Sequence, residues 1–189
     1  MKIVGVGCGE NMLTQEAIDA IRQAKLIYGS DRALALAKEY IASDAQAEEI
    51  TDYKALRTLP KDAVVLSTGD PMMAGLGYLD GDIVSGISSM QCAYARLHAM
   101  WTNAAIVNAH GKNHRDAMEL AARDIAAGHS VFIIADPEFS VEELSKYLPK
   151  ETKIAVCSNL GYEDEEISEG TAGSPPKVNH RLFSVVCGY

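Results

Sequence analysis

Between Val64 and Ser89 the chain reads VVLSTGDPMMAGLGYLDGDIVSGISS, and this stretch limits what the remainder can fold into. Val64, Val65 and Leu66 form a short apolar run with the length and β-branched content of a buried strand. The run breaks into Ser67-Thr68-Gly69-Asp70-Pro71, where glycine opens backbone conformations closed to other residues and proline withholds a ladder donor. A second turn follows at Gly75 and Gly77, then a short strand at Ile83 and Val84, then a third break at Gly86. Glycine breaks at the ends of successive short strands leave backbone N–H and C=O groups exposed close together. An α/β protein builds a small-molecule crevice in this way, at the carboxyl ends of its strands. Taken singly, each break reads equally well as an ordinary loop with a glycine turn.

The flanking sequence alternates strands and helices. Lys2 to Val6 is a strand, and Gly7-Cys8-Gly9-Glu10-Asn11 a turn. Thr14 caps a helix whose apolar stripe is Ala17, Ile18, Ile21 and Ala24. Leu26 to Tyr28 is a strand, and a second helix holds Leu34, Leu36, Ala37 and Tyr40. Past Gly86, Ser88 or Ser89 caps a helix to about Leu97; Ala105 to Val107 is a strand, Asp116 to Ala127 a helix, and Val131 to Ile134 a strand running into Ala135-Asp136-Pro137. Ser140 opens another helix, and Ile154 to Cys157 is a strand. Segments Glu166 to Thr171 and Leu182 to Val186 flank a Gly/Pro/Ser loop, which predicts an antiparallel hairpin between them. The alternation implies parallel strands joined by right-handed crossovers. The expected organisation is two α/β domains, residues 1–85 and 101–189, with 86–100 as the connection.

Composition excludes several classes. The net charge of −9 argues against nucleic acid as a partner, and any anionic substrate must find a local basic patch. No apolar run approaches the roughly 18 residues of a membrane span. The first residues read as a strand rather than a leader, and the four cysteines form no CxxC pair, which together predict a cytoplasmic protein with reduced thiols.

Among local motifs, Gly5-Val6-Gly7-Cys8-Gly9 follows a strand and opens a helix, but a dinucleotide fingerprint needs a glycine where Glu10 stands, and a carboxylate there repels a pyrophosphate. There is no GxxxxGK[ST] loop, neither histidines nor cysteines have zinc spacing, and no Ser/His/Asp or Cys/His set is recognisable. No metal site is expected. His98 reads as a structural histidine, and Met72 and Met73 suit either a pocket wall or core. The segment Asn108-Ala109-His110-Gly111-Lys112-Asn113-His114-Arg115 is different: four potentially cationic residues gather between a strand end and a helix start in an acidic chain. Cations there oppose the helix dipole, so the reading is an anion-binding loop, with a solvated turn as the plain alternative.

Taken together, GVGCGE at 5–10, STGDP at 67–71 followed by MMAGLG, and GISS at 86–89 resemble the tetrapyrrole methylases. YGSDRAL at 28–34, GISSMQCAYARL at 86–97, NAHGK at 108–112 and SNLGYEDEEI at 158–167 extend the resemblance over nearly the whole chain. The family's first loop usually has proline where Cys8 stands, and an aromatic is usual near Ala74.

The resemblance implies two α/β domains with S-adenosylmethionine in the cleft between them, a C-methyltransferase acting on a corrin-ring precursor, and a homodimer. By the same resemblance, cofactor contacts fall on Thr68, Gly69, Asp70 and Met73, on Ser88 and Ser89, on Ala135 and Leu160, with the loop around Cys8 facing the cofactor. The substrate's carboxylates would be met by His110, Lys112, His114 and Arg115, with Arg32 and Arg96 as further candidates. Asp70 and His110 are the candidates for a catalytic group. Two other readings stay open, a methylase of the same fold acting on another ring carbon or a protein side chain, and a non-catalytic ligand-binding relative.

Overall fold

A computed structural model describes residues 1–189 apart from the side chain of Ala74, so the expectation attached to that position lies outside the described residues. The chain divides into two units, Met1–Ser89 and Met90–Tyr189. The segment read as a connection is shared between them: 86–89 belongs to the first unit and 90–100 to the second.

In the first unit five strands, β1 (Lys2–Gly5), β2 (Leu26–Gly29), β3 (Gln46–Glu49), β4 (Val64–Ser67) and β5 (Asp82–Val84), form a parallel sheet in the order β3-β2-β4-β1-β5. Helices α1 (Gln15–Gln23) and α2 (Asp31–Ala37) connect the first strands, and the short α3 (Pro71–Ala74) follows β4. The central strand β1 is covered on both faces. Val4 and Val6 pack with Ala17, Ile21 and Ala33 of the helices, while Ile3 packs on the other side with Val65, Leu56, Leu76 and Leu79. Burying both faces explains why these strands read as continuous apolar runs, and each fully buried Ile or Leu contributes about 1.5–3 kcal/mol. Helix α1 starts where the sequence places it, because Thr14 Oγ1 accepts the Ala17 N–H at 3.1 Å. Strand β3 has no counterpart in the sequence reading. All four of its residues are exposed on the sheet edge, so it carries no apolar signature, and its two glutamates blunt the edge.

Helix α4 (Ser89–Arg96) starts on the last residue of the first unit, and the second unit carries the rest of it and β6 (Ala104–Asn108), α5 (His114–Ala126), β7 (Ser130–Ile134), α6 (Val141–Ser145), β8 (Lys153–Ser158), β9 (Glu166–Thr171) and β10 (Phe183–Cys187). Its sheet order is β6-β7-β10-β8-β9, with β6 and β7 parallel and the other neighbours antiparallel. This corrects the expected terminal hairpin: β9 pairs with β8, and β10 inserts between β7 and β8. Burial supplies the reason. All five residues of β10 are buried and need a partner strand on each side, whereas no residue of β9 is buried, so it tolerates the edge. One face of the sheet packs on α5 and α6 through Val131, Ile133, Val156, Val185, Met118 and Leu144. Tyr94 of α4 is buried, with its hydroxyl 2.9 Å from Ser130 Oγ. All four cysteines are free, and burial pushes Cys157 and Cys187 up to about 12, so neither offers a thiolate at neutral pH.

Candidate active site

The loops that leave β4, β1 and β5, three neighbouring strands, are tied together at their carboxyl ends. Gly69 N–H donates to the Gly7 carbonyl at 2.7 Å, and Gly7 N–H donates back to the Gly69 carbonyl at 3.3 Å. Both glycines lie in the left-handed region that favours glycine, Gly7 at φ +80° and Gly69 at φ +70°, and at Gly7 a Cβ would also meet Met12 Cβ at 2.5 Å. The Gly69 carbonyl oxygen sits where a side chain on its neighbours would begin: a Cβ on Gly86 would lie 2.1 Å from it, and a Cβ on Gly5 2.7 Å. Asp70 completes the arrangement. As N-cap of α3 it accepts the Met72 N–H on Oδ1 at 2.9 Å, and on Oδ2 it accepts the Gly86 N–H at 3.0 Å.

Around this knot stand the other expected residues of the first unit. Thr68 Oγ1 accepts from Arg32 Nη2 at 3.1 Å, so a residue assigned to cofactor and one assigned to substrate are in contact. Met73 is half-buried whereas Met72 is 65% exposed, which separates two methionines that residue type alone left together. Ser88 is buried and Ser89 half-buried at the start of α4. The half-buried Cys8 places Sγ 3.7 Å from Met12 Sδ. Ser67 Oγ is buried and has no hydrogen-bond partner among the described residues.

In the second unit the loop after β6 meets the loop after β7. His110 N–H donates to Asn108 Oδ1 at 3.0 Å, and its ring Nδ1 lies 3.3 Å from the Ala135 carbonyl. Asp136 is the organiser, and the sequence reading did not single it out. Its Oδ2 accepts the Gly111 N–H and lies 3.0 Å from His114 Nε2, while Oδ1 accepts the Glu138 N–H. Burial works against its charge, but hydrogen bonds from His114, Gly111 and Glu138 outweigh it and hold the carboxyl below its ordinary value. Phe139 meets the His114 ring edge-on at 5.4 Å. The signal for Asp136 was its place in Ala-Asp-Pro at a strand end, next to the strand end that carries the cationic loop.

The expected basic cluster is therefore only partly uncommitted. His114 opens α5 with Asp136 as partner, so the apparent conflict with the helix dipole is resolved locally. Arg115 pairs with Glu119, and exposed Lys112 makes no ion pair among the described residues. Arg96 pairs with Glu165, which also accepts the Gly161 N–H at 2.7 Å, so this arginine is anchored to the loop after β8. Burial opposes charge on Glu165, and the Arg96 guanidinium and Gly161 N–H overcome it and lower its pKa. Leu160 in the same loop is buried, as is Ala135. No group of three His, Cys, Asp or Glu suited to a metal ion occurs among the described residues.

The arrangement offers backbone donors and acceptors at glycine-lined strand ends and no activated nucleophile, which suits a reaction that depends on alignment. The tetrapyrrole (corrin/porphyrin) methylases match residues 2–176 of this chain. A curated relative, the probable cobalt-precorrin-7 C(5)-methyltransferase of Methanocaldococcus jannaschii, is 34% identical, with 88% of this chain and 86% of the relative covered. The crystal structure of the cobalamin biosynthesis precorrin-6Y methylase from Archaeoglobus fulgidus superposes with a TM-score of 0.73 at 29% identity, covering 100% of this chain and 96% of that one. Uroporphyrin-III C-methyltransferase from Thermus thermophilus, solved with S-adenosylhomocysteine, shares the fold at 17% identity, TM-score 0.71, covering 98% and 95%. With its motifs in order along the chain and these relatives matched over most of their length, this chain belongs to the tetrapyrrole methylases and is a methyltransferase.

Proposed function

We propose that this chain methylates carbon 5 of cobalt-precorrin-7, using S-adenosylmethionine as donor, in cobalamin biosynthesis. The observation that carries the reading is the 34% identity to the Methanocaldococcus jannaschii relative of that name, held over 88% of this chain. The first unit fits the donor: Gly69 leaves its Cα face open, the nearest atom to a Cβ built there being 3.8 Å away, so a ligand can approach the backbone. Thr68 Oγ1, the buried Ser88 and the orphaned Ser67 Oγ supply hydroxyls at the same strand ends. Bound there, S-adenosylmethionine would supply an electrophilic methyl carbon, its sulfur–methyl bond breaking and S-adenosylhomocysteine leaving as the bond to the ring carbon forms.

The protein's own work is then to align and to shield. Glycine backbones fix the loops, and no general base is required of the chain before the carbon–carbon bond forms. Lys112 and Arg115, exposed beside the end of β6, receive acetate or propionate carboxylates of the macrocycle. The protein works as a homodimer in the cytoplasm. The deciding assay supplies purified protein with S-adenosylmethionine and each of several corrin intermediates, and reads methyl incorporation by mass and ring position by NMR. One methyl on carbon 5 of cobalt-precorrin-7 is the expected product. Preference for another ring carbon, or for none of the intermediates, overturns the assignment.

A further inference from the structure

We infer that Asp70 is a positioning residue of the methyl-transfer site, bracing the loop after β4 to the loop after β5 through the Gly86 N–H rather than acting on the methyl donor. The inference rests on the methylase reading and deepens it. Both carboxylate oxygens already hold backbone donors from different elements, Met72 N–H of α3 on Oδ1 and Gly86 N–H on Oδ2. The preceding residue is fixed from the opposite direction, since the N–H and C=O of Gly69 are both engaged by Gly7. Gly69 is thus held between β1 and β5, with its carbonyl oxygen 2.1 Å from where a Gly86 Cβ would sit and 2.7 Å from where a Gly5 Cβ would sit.

Nothing else in the described hydrogen bonding ties the loop after β4 to Gly86. A bond from an N–H to a carboxylate is shorter and stronger than a neutral one, which suits a brace that must hold a loop without covering it. The approach left open is over Gly69, and the brace fixes its position relative to β5. In-line methyl transfer is sensitive to displacements of about 1 Å.

Serine separates the two arms, because it still caps a helix but is too short to reach from the α3 cap to Gly86. The test compares wild type with Asp70→Ser, Asp70→Asn and Asp70→Ala. It records thermal unfolding, S-adenosylhomocysteine affinity by calorimetry, kcat, separate KM values for donor and corrin substrate, and amide exchange at Gly86 and Met72. In wild type the Gly86 amide should be protected, and further protected by S-adenosylhomocysteine. In Asp70→Ser the Gly86 amide should exchange at least about tenfold faster with Met72 still protected, and kcat should fall about tenfold or more while the corrin KM holds. Asn, which keeps one acceptor and turns an NH2 toward the other donor, should fall between Ser and wild type or match Ser.

An unprotected Gly86 amide in wild type overturns the brace, and that measurement decides even where a variant fails to fold. Wild-type kcat in a folded Asp70→Ser with fast Gly86 exchange overturns its role in positioning. Loss of kcat that merely tracks loss of thermal stability across the three variants leaves a structural cap and also overturns the inference. Failure of wild type to bind S-adenosylhomocysteine is a different result, and it removes the methylase reading itself.

Discussion

Replacing Gly86 by alanine tests the packing at the three strand ends most directly. The new Cβ would begin 2.1 Å from the Gly69 oxygen and 2.9 Å from the Gly5 carbonyl carbon, against the 3.4 Å at which ordinary contact begins. Both obstacles are backbone, so no side-chain rotation relieves them. Gly69 cannot retreat without lengthening its paired bonds to Gly7, and Gly86 cannot retreat without leaving Asp70. Overpacking of this sort costs about 1–3 kcal/mol, and each hydrogen bond given up adds about 0.5–1.5. A total of about 3–5 kcal/mol places the variant among the most destabilising single substitutions. For a unit of residues 1–89 each kcal/mol moves the midpoint by roughly 4–8 °C, so scanning calorimetry should show a fall of at least about 12 °C. Gly75→Ala is the control. Its φ of +92° strains alanine, but nothing lies within 4 Å of the new Cβ, so the cost is about 1–2 kcal/mol. Equal shifts for the two variants, or a Gly86→Ala midpoint within about 3 °C of wild type, would show that the crossing is looser than described.

Three further outcomes are expected. Lys112→Glu with Arg115→Glu should raise the corrin KM by about tenfold or more and leave donor affinity unchanged by calorimetry, with the wild-type KM also climbing with salt; a wild-type KM in the double variant would make this loop a solvated turn. Asp136 has a folded pKa below its ordinary 3.8, so the stability it contributes is present above that value and disappears as pH falls through the lower, folded value. Asp136→Asn should therefore cost about 1.5–3 kcal/mol at pH 7 and flatten the loss of stability between pH 5 and pH 2, followed by urea unfolding; an undiminished acid transition would move its origin elsewhere. Arg96→Ala should lower the unfolding midpoint and leave the corrin KM within about twofold; a large KM rise without loss of stability would restore Arg96 to the substrate site.

The glycine breaks were legible because their constraint is local: a positive φ or a missing Cβ leaves a mark in one or two residues. Thr14 and Ser140 were legible for the same reason, each cap being written within three residues of the bond it makes. What escaped were facts that depend on a distant partner. Asp70 read as a group facing a ligand, and its bond to Gly86 spans 16 positions. Asp136 was not singled out because Gly111 and His114 come to it from another strand end. The exposed β3 and the insertion of β10 failed likewise, since periodicity reports burial within a segment and says nothing of which neighbour covers it.

The same dependence on partners decides which cations can serve an anionic substrate in a chain of net charge −9. Arg115 and Glu119 are exposed by 76% and 51% in a helical i,i+4 pair, an arrangement worth only about 0.3–0.5 kcal/mol. A carboxylate approaching Arg115 would displace Glu119 at almost no cost, and Lys112 has no pair to break among the described residues. Arg96 is held differently. Its partner Glu165 is only 20% exposed and is drawn below its ordinary pKa against the effect of burial, so taking Arg96 away would strand a carboxylate that water reaches poorly. His114 stands in the same position toward Asp136, whose side chain is 12% exposed. The burial of the anion thus sorts the three candidates that have one, Arg115 from Arg96 and His114. Lys112, Arg115 and the hydroxyl-bonded Arg32 remain free to exchange partners, and His114 and Arg96 are tied into the fold. His110, with its ring on the Ala135 carbonyl, belongs to the loop's geometry before it belongs to any substrate.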